Sequence, residues 1–300
     1  MLTFFTTAKP FVGHDGVIQR NALASWKLLH PDVEVILFGD EPGAAETCEQ
    51  LKLVHERRIE RHNSGKPLVG SLLARAQERA SHKYICYSNC DIILMKDFRL
   101  AFESVKAWQD RFLMVSRRWD LDILAPVDFQ SDSWSSQLRE KALAMGFRQD
   151  ECWIDFFLFS REQYKQIPKL IVGHCYWDNW MIWRSLQDGV PVVDASPYVI
   201  PVHQNHGYDP KFGRSKGRPT DALSLTNLDA IGGPKHVRRI DCATHRLQRN
   251  GKVRRTWIRN TYAFRERLRY KVWLPVWHAV LGATRPLRTA LGLRSKTARM

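Results

Sequence analysis

The first half of the chain alternates short apolar runs with longer stretches whose apolar residues recur at helical spacing. That is the pattern of an open sheet with helices on its faces. Residues 2–6 read as a buried strand, and residues 16–29 as an amphipathic helix with Val17, Ala24 and Leu28 on one side. Residues 33–38 form a second predicted strand, stopped by the turn-forming Gly39-Asp40-Glu41-Pro42-Gly43. A helix is expected over residues 44–51, and Pro67 is expected to open another that runs to Ala80, since proline suits a first turn. Residues 84–88 and 92–94 read as strands on either side of a polar tripeptide, Asn89-Cys90-Asp91.

Beyond residue 110 the alternation loosens. Strands are expected at 112–116 and 153–160, separated by a polar insert around 128–150. A helix is expected over 177–187, and strands at 190–193 and 198–202. Residues 207–236, rich in Gly, Pro, Lys and Asp, read as a mobile loop suited to closing over a ligand. No repeat is visible.

Charge divides the chain in two. Of the net +15, residues 252–300 carry +12, with thirteen Lys/Arg against Glu266 alone. The expected organisation is therefore a nearly neutral α/β domain over 1–250 and a basic, Trp-containing tail over 251–300. The tail places Trp257, Trp273 and Trp277 among arginines, the composition of a segment lying on an anionic membrane surface. Nucleic acid would require basic residues on the folded domain as well, which argues against it. No window reaches the ~20 apolar residues of a spanning helix. The six cysteines form no CxxC pair, which excludes zinc-site spacing, and no secretory signal is legible. The expected location is cytoplasmic, peripheral at the inner membrane face.

Asp91 is the first chemical signal. A carboxylate between two apolar strands costs several kcal/mol unless something compensates it, and strand ends in open α/β sheets are where ligands bind. Trp177-Asp178-Asn179-Trp180 is the second. Aromatic faces stack on sugars, carboxylate and amide bond hydroxyls, and a carboxylate against aromatic walls has a raised pKa, as a general base requires. The bland alternative is an N-capping Asp178 with both tryptophans in the core. His203 and His206, three apart beyond a predicted strand, can present imidazoles to one metal or phosphate. Arg117-Arg118-Trp119-Asp120 offers an anion-binding arginine, and Asp155 in an aromatic strand needs a partner.

With Asn89-Cys90-Asp91 placed after the hydrophobic strand of residues 84–88, residues 1–250 resemble the GT-A fold glycosyltransferases, the nucleotide-diphospho-sugar transferase superfamily. Their motif here is Asp-x-Asp; this chain has Asn at its first position. The resemblance implies an α/β fold, a single Rossmann-like mixed sheet with flanking helices, and transfer of a sugar from a nucleotide-diphosphate donor to a glycan or lipid-linked acceptor. It implies Mn2+ or Mg2+ on Asp91 with His203 or His206, His203 being preferred. Donor contacts would come from Thr6, Thr7, Asp40, Asn89, Arg118 and Asp155. Asp178 would be the catalytic base, with Trp177 and Asn179 on the acceptor side. Arg75 could meet the diphosphate, although a surface ion pair is favoured.

Two further readings compete. A nucleotidyltransferase would need a GxGxR-like signature after the first strand, where Ala8-Lys9-Pro10-Phe11-Val12-Gly13-His14 stands instead. A Rossmann dehydrogenase is excluded by the absence of GxGxxG there. The other is a non-catalytic sugar- or membrane-surface-binding domain, which the missing acid at position 89 keeps open.

Overall fold

The computed structural model describes residues 1–206 and 219–256. Met1–Ile258 is one compact unit, and the second unit, Arg259–Met300, lies outside the described residues. The basic tail's membrane-facing tryptophans lie outside the described residues, as do positions 207–218 of the expected lid.

Four segments form a parallel block: β1 (Leu2–Thr7), β2 (Glu34–Phe38), β3 (Val54–Glu56) and β4 (Tyr84–Ser88). On the far side of β4 comes β9 (Phe156–Ser160), antiparallel to it. Beyond β9 lie β6 (Leu113–Val115), β10 (Val192–Asp194) and β12 (His245–Leu247), which restore the direction of β4. The edge is β13 (Val253–Arg255), beyond the 250/251 division drawn from charge. Nine strands thus form one mixed sheet, ordered β13-β12-β10-β6-β9-β4-β1-β2-β3. This is the mixed α/β architecture that the sequence led us to expect.

The central strands are buried on both faces, so they read as continuous apolar runs rather than alternations. Helix α1 (Gly13–Lys27) packs on one face through Trp26, whose ring stacks on Phe4 at 5.1 Å. Phe98 from α4 (Lys96–Trp108) meets Phe4 from the same side. Each such large side chain, fully buried, contributes about 1.5–3 kcal/mol relative to exposure. Helices α2 (Ala44–Leu51), α3 (Val69–Arg79) and α6 (Trp177–Gln187) complete the layers.

A second sheet is built from very short strands: β5 (Ile92–Ile93), β7 (Trp119–Leu121), β8 (Phe147–Arg148) and β11 (Val202–Gln204), in the order β5-β11-β7-β8. Its own apolar cluster joins Ile93, Leu121 and Val202 to Leu138 and Ala142 of α5 (Trp134–Met145). Gly146 makes the return from α5 into β8. A Cβ there would lie 2.5 Å from the Ala142 carbonyl oxygen and 3.2 Å from that of Asp120, so any larger residue would push β8 off β7.

Several sequence expectations shift. The polar insert at 128–150 contains α5 and β8; only Leu138 and Ala142 of the helix are buried, too narrow a stripe to announce itself. The loop expected at 207–236 contains α7 (Ala222–Ala230), capped by the Asp221 side chain on the Ser224 amide, and a 3-10 turn at Pro234–His236. Pro67 stands outside α3: it is bridged to Arg61, and its carbonyl accepts from Val172 at 3.0 Å. The strand expected at 198–202 begins only at Val202, because the Tyr198 and Val199 amides turn back onto the Ala195 carbonyl. The strand expected from Trp153 begins at Phe156. Among the described residues, no helix is long and apolar enough to cross a membrane.

Candidate active site

The small sheet gathers the polar residues. In its register His203 pairs with Ile92, next to Asp91, on one side and with Asp120 on the other. Three segments remote in sequence therefore present Asp91, His203 and Asp120 side by side. The Trp26 indole donates to the Ile92 carbonyl at 2.9 Å, tying this edge to α1. Gln204 donates to the Ile18 and Asp91 carbonyls at 2.7 and 3.1 Å and accepts from Asn21 at 2.9 Å. The backbone of the motif is thereby locked.

Asp91, His203 and His206 offer ligand atoms all within 4.8 Å of one another, and no other such trio exists among the described residues. Asp91 Oδ2 lies 3.3 Å from His206 Nε2 and 3.6 Å from His203 Nε2. Asp91 Oδ1 is buried with no hydrogen-bond partner among the described residues. Burial alone would raise the Asp91 pKa, but His206, His203 and Arg118 outweigh it and hold it at about 2. A half-buried carboxylate kept ionised, with one buried oxygen unpaired among the described residues and two imidazoles beside it, fits a divalent cation.

From His203 a chain of contacts runs back to the large sheet. His203 Nδ1 lies 3.1 Å from Asp120 Oδ1, which lies 2.8 Å from Arg118 Nε. Gln149 donates to the other Asp120 oxygen. Arg118 Nη1 reaches Asp155 Oδ2 at 3.1 Å, and its guanidinium lies over the Trp153 ring at 4.5 Å. Asp155 Oδ1 accepts from Asn89 Nδ2 at 2.6 Å, and Asn89 Oδ1 accepts from the Tyr87 hydroxyl at 2.9 Å. Asn89, Arg118 and Asp155 thus bond chiefly to one another.

Asp178 sits in the first turn of α6, after Tyr176 in a left-handed conformation (φ 83°). Burial, joined by the nearby Asp155 charge, pushes its pKa up to about 7 against backbone N–H groups at the helix start. Its Oδ1 has no hydrogen-bond partner among the described residues. Trp177 is buried, edge-on to Tyr87 at 5.1 Å and tilted against Phe157 at 5.3 Å, so it walls the site from beneath. Asn179 turns away: its Nδ2 donates to the Arg238 carbonyl at 3.0 Å, and its own carbonyl accepts from the Arg238 amide.

Thr6 and Thr7 end β1, the neighbour of β4, and Asp40 follows β2 one strand further out, so all three lie at the carboxyl ends of these parallel strands. The Thr6 hydroxyl donates to the Thr7 carbonyl at 3.1 Å. Asp40 is exposed, with Arg57 Nε 3.8 Å away. Arg75 instead meets Glu56 at 3.0 Å, where Arg79 joins it at 3.1 Å. The residues that sequence reasoning missed are Gln149 and Asp120 as a partner of His203. Asp120 was legible only as the last member of Arg117-Arg118-Trp119-Asp120.

No protein-family model matches the chain, and no curated protein matches it in sequence. Solved structures do. Glucosyl-3-phosphoglycerate synthase from Mycobacterium tuberculosis is similar at 12% identity and a TM-score of 0.47, over 78% of this chain and 81% of that one. The same synthase with Mn2+, uridine diphosphate and glucosyl-3-phosphoglycerate is similar at 12% identity and a TM-score of 0.44, over 78% and 81%. A further mycobacterial protein is similar at 12% identity and a TM-score of 0.46, over 78% and 75%.

Proposed function

We propose that this chain is a cation-assisted glycosyltransferase that moves a sugar from a nucleotide-diphosphate donor to the hydroxyl of a glycan or lipid-linked acceptor. The observation that carries the reading is the trio Asp91, His203 and His206, set at the carboxyl end of β4 with a buried carboxylate oxygen that has no hydrogen-bond partner among the described residues. These three would hold Mn2+ or Mg2+. When bound, such a cation supplies charge neutralisation for a leaving diphosphate.

The rest of the work falls to the chain's own side chains. Thr7 and Asp40 lie at the strand ends on one side of the motif, where the nucleotide of the donor would lie, with the fully buried Thr6 behind them. Asn89 can offer polar contacts to a ribose only at the edge of its bond to Asp155. Asp178, with its pKa near neutrality and an Oδ1 that has no hydrogen-bond partner among the described residues, suits a general base. It would accept the proton of the acceptor hydroxyl as that oxygen bonds to the anomeric carbon. The bond from that carbon to the diphosphate oxygen breaks, and the diphosphate leaves with the electron pair. A single displacement of this kind inverts the anomeric centre.

The test is donor turnover with UDP-, GDP- and dTDP-sugars, with and without Mn2+, in the wild type and Asp91→Ala. Metal-dependent hydrolysis or transfer with at least one donor, lost in the variant, is expected. Equal turnover by both proteins would overturn the assignment of Asp91.

A further inference from the structure

His203 stands between two carboxylates, and the two sides are unequal. Its Nδ1 lies 3.1 Å from Asp120 Oδ1, while its Nε2 lies 3.6 Å from Asp91 Oδ2, beyond normal hydrogen-bond reach. Asp120 is itself held on both oxygens: Arg118 Nε is 2.8 Å from Oδ1, and Gln149 donates to Oδ2. Arg118 is buried and anchored at its other end by Asp155. Asp120 Oδ1 and His203 Nδ1 are both buried, and neither makes a hydrogen bond of normal geometry among the described residues, so the unused capacity of each lies within 3.1 Å of the other. A neutral imidazole carries one N–H and one lone pair. With the proton on the Asp120 side, the lone pair of Nε2 faces Asp91, and two acceptors confront each other across 3.6 Å.

We infer that Asp120 is a positioning residue for His203: it holds the imidazole proton on Nδ1 and so keeps Nε2, beside Asp91 and His206, free to bind a cation. This rests on reading those three residues as the cation ligands. Register explains why the arrangement is rigid, because Asp120 and His203 are direct partners on parallel neighbouring strands. Carboxylates that orient ligand histidines commonly account for 10–100-fold in metal affinity. Asp120 would act this way without touching cation or substrate.

The decisive measurement needs no cation. Long-range 15N–1H correlation spectra of the cation-free wild type at pH 8 should show the His203 proton on Nδ1. A neutral ring carrying its single proton on Nε2 would overturn the inference. Asp120→Ala should lose the tautomer preference and weaken Mn2+ binding, followed by electron paramagnetic resonance, about 10–100-fold. Asp120→Asn keeps an acceptor oxygen in place, so it should retain the tautomer and most of the affinity. Unchanged tautomer and unchanged Mn2+ affinity in Asp120→Ala would also overturn it, and the wild-type spectrum decides even if that variant fails to fold. Asp91→Ala separates the two ideas: it should abolish Mn2+ binding while leaving the His203 proton on Nδ1. Mn2+ binding unaffected by Asp91→Ala would sink the ligand assignment.

Discussion

Asn89 donates its side-chain amide to Asp155 at 2.6 Å, so the first position of the strand-end motif is bound to a carboxylate rather than being one. The negative charge absent from position 89 is present on Asp155, just before the neighbouring strand β9, and Arg118 neutralises it. Restoring an acid at position 89 should therefore harm the protein. Asn89→Asp would set two carboxylates against each other in place of a hydrogen bond, at about 1–3 kcal/mol. A lowered melting temperature is expected. The double variant Asn89→Asp, Asp155→Asn should recover most of the loss, and a single variant as stable as wild type would contradict this.

Arg118 links Asp120 to Asp155 from a buried position. Removing it leaves two carboxylates without their counter-charge, so Arg118→Met should cost about 3–5 kcal/mol in denaturant unfolding. Arg118→Lys should recover little of this, since one ammonium cannot span both partners as a guanidinium fork does.

Asp178 should leave its mark on pH dependence. The raised folded-state pKa means that the neutral acid is favoured on folding. Its contribution is fully present below the ordinary value of 3.8 and is lost as pH rises through about 7. Activity runs the other way, because a base must be ionised, and should climb as pH passes through about 7. Asp178→Asn should abolish transfer, yet melt at a higher temperature than wild type at pH 8. A variant less stable at pH 8 would refute the burial argument.

Two imidazoles with one carboxylate form a donor set that favours Mn2+ over Mg2+, the latter preferring oxygen. Mn2+ should shift the melting temperature at concentrations about tenfold or more below those needed for Mg2+. His203→Ala and His206→Ala should each narrow that gap. Equal potency of the two ions in wild type would argue against the histidines as ligands.

Arg75 provides a contrast. Burial pushes the Glu56 carboxyl up, but Arg75, the Arg58 backbone amide and Arg79 more than offset this and bring it below its usual range. Arg75→Ala should cost about 1 kcal/mol or less of stability. Donor KM should not move; an increase would restore a diphosphate role for this arginine.

The sequence made β1, β2 and β4 legible because burial on both faces writes them as unbroken apolar runs, whereas the three-residue β3 and β12 carry no such run. It exposed Asp91 because a carboxylate among such runs is anomalous. His203 and His206 stood out by residue type and spacing. Asp120 and Gln149 did not, because the small sheet that brings them to His203 consists of two- and three-residue strands. Such strands are too short for any periodicity, and their pairing is set by contacts between distant segments. Asn179 misled for a related reason: an amide beside tryptophans looks like a sugar contact, but here it holds the Arg238 backbone. In α5 and α7, local capping and a narrow buried stripe took the place of a legible amphipathic pattern.

The distribution of the cation trio along the chain also bears on when the site comes into being. Asp91 and His206 are 115 positions apart, and only the pairing of β5 with β11 brings their segments together. Closing so long a loop is entropically costly and slow, so this juncture belongs late in folding. A nascent chain that has not yet delivered β11 lacks two of its three ligands, whatever else has formed. During refolding, the ability to capture a cation should therefore emerge after most helical signal has returned, making capture a marker of completed folding.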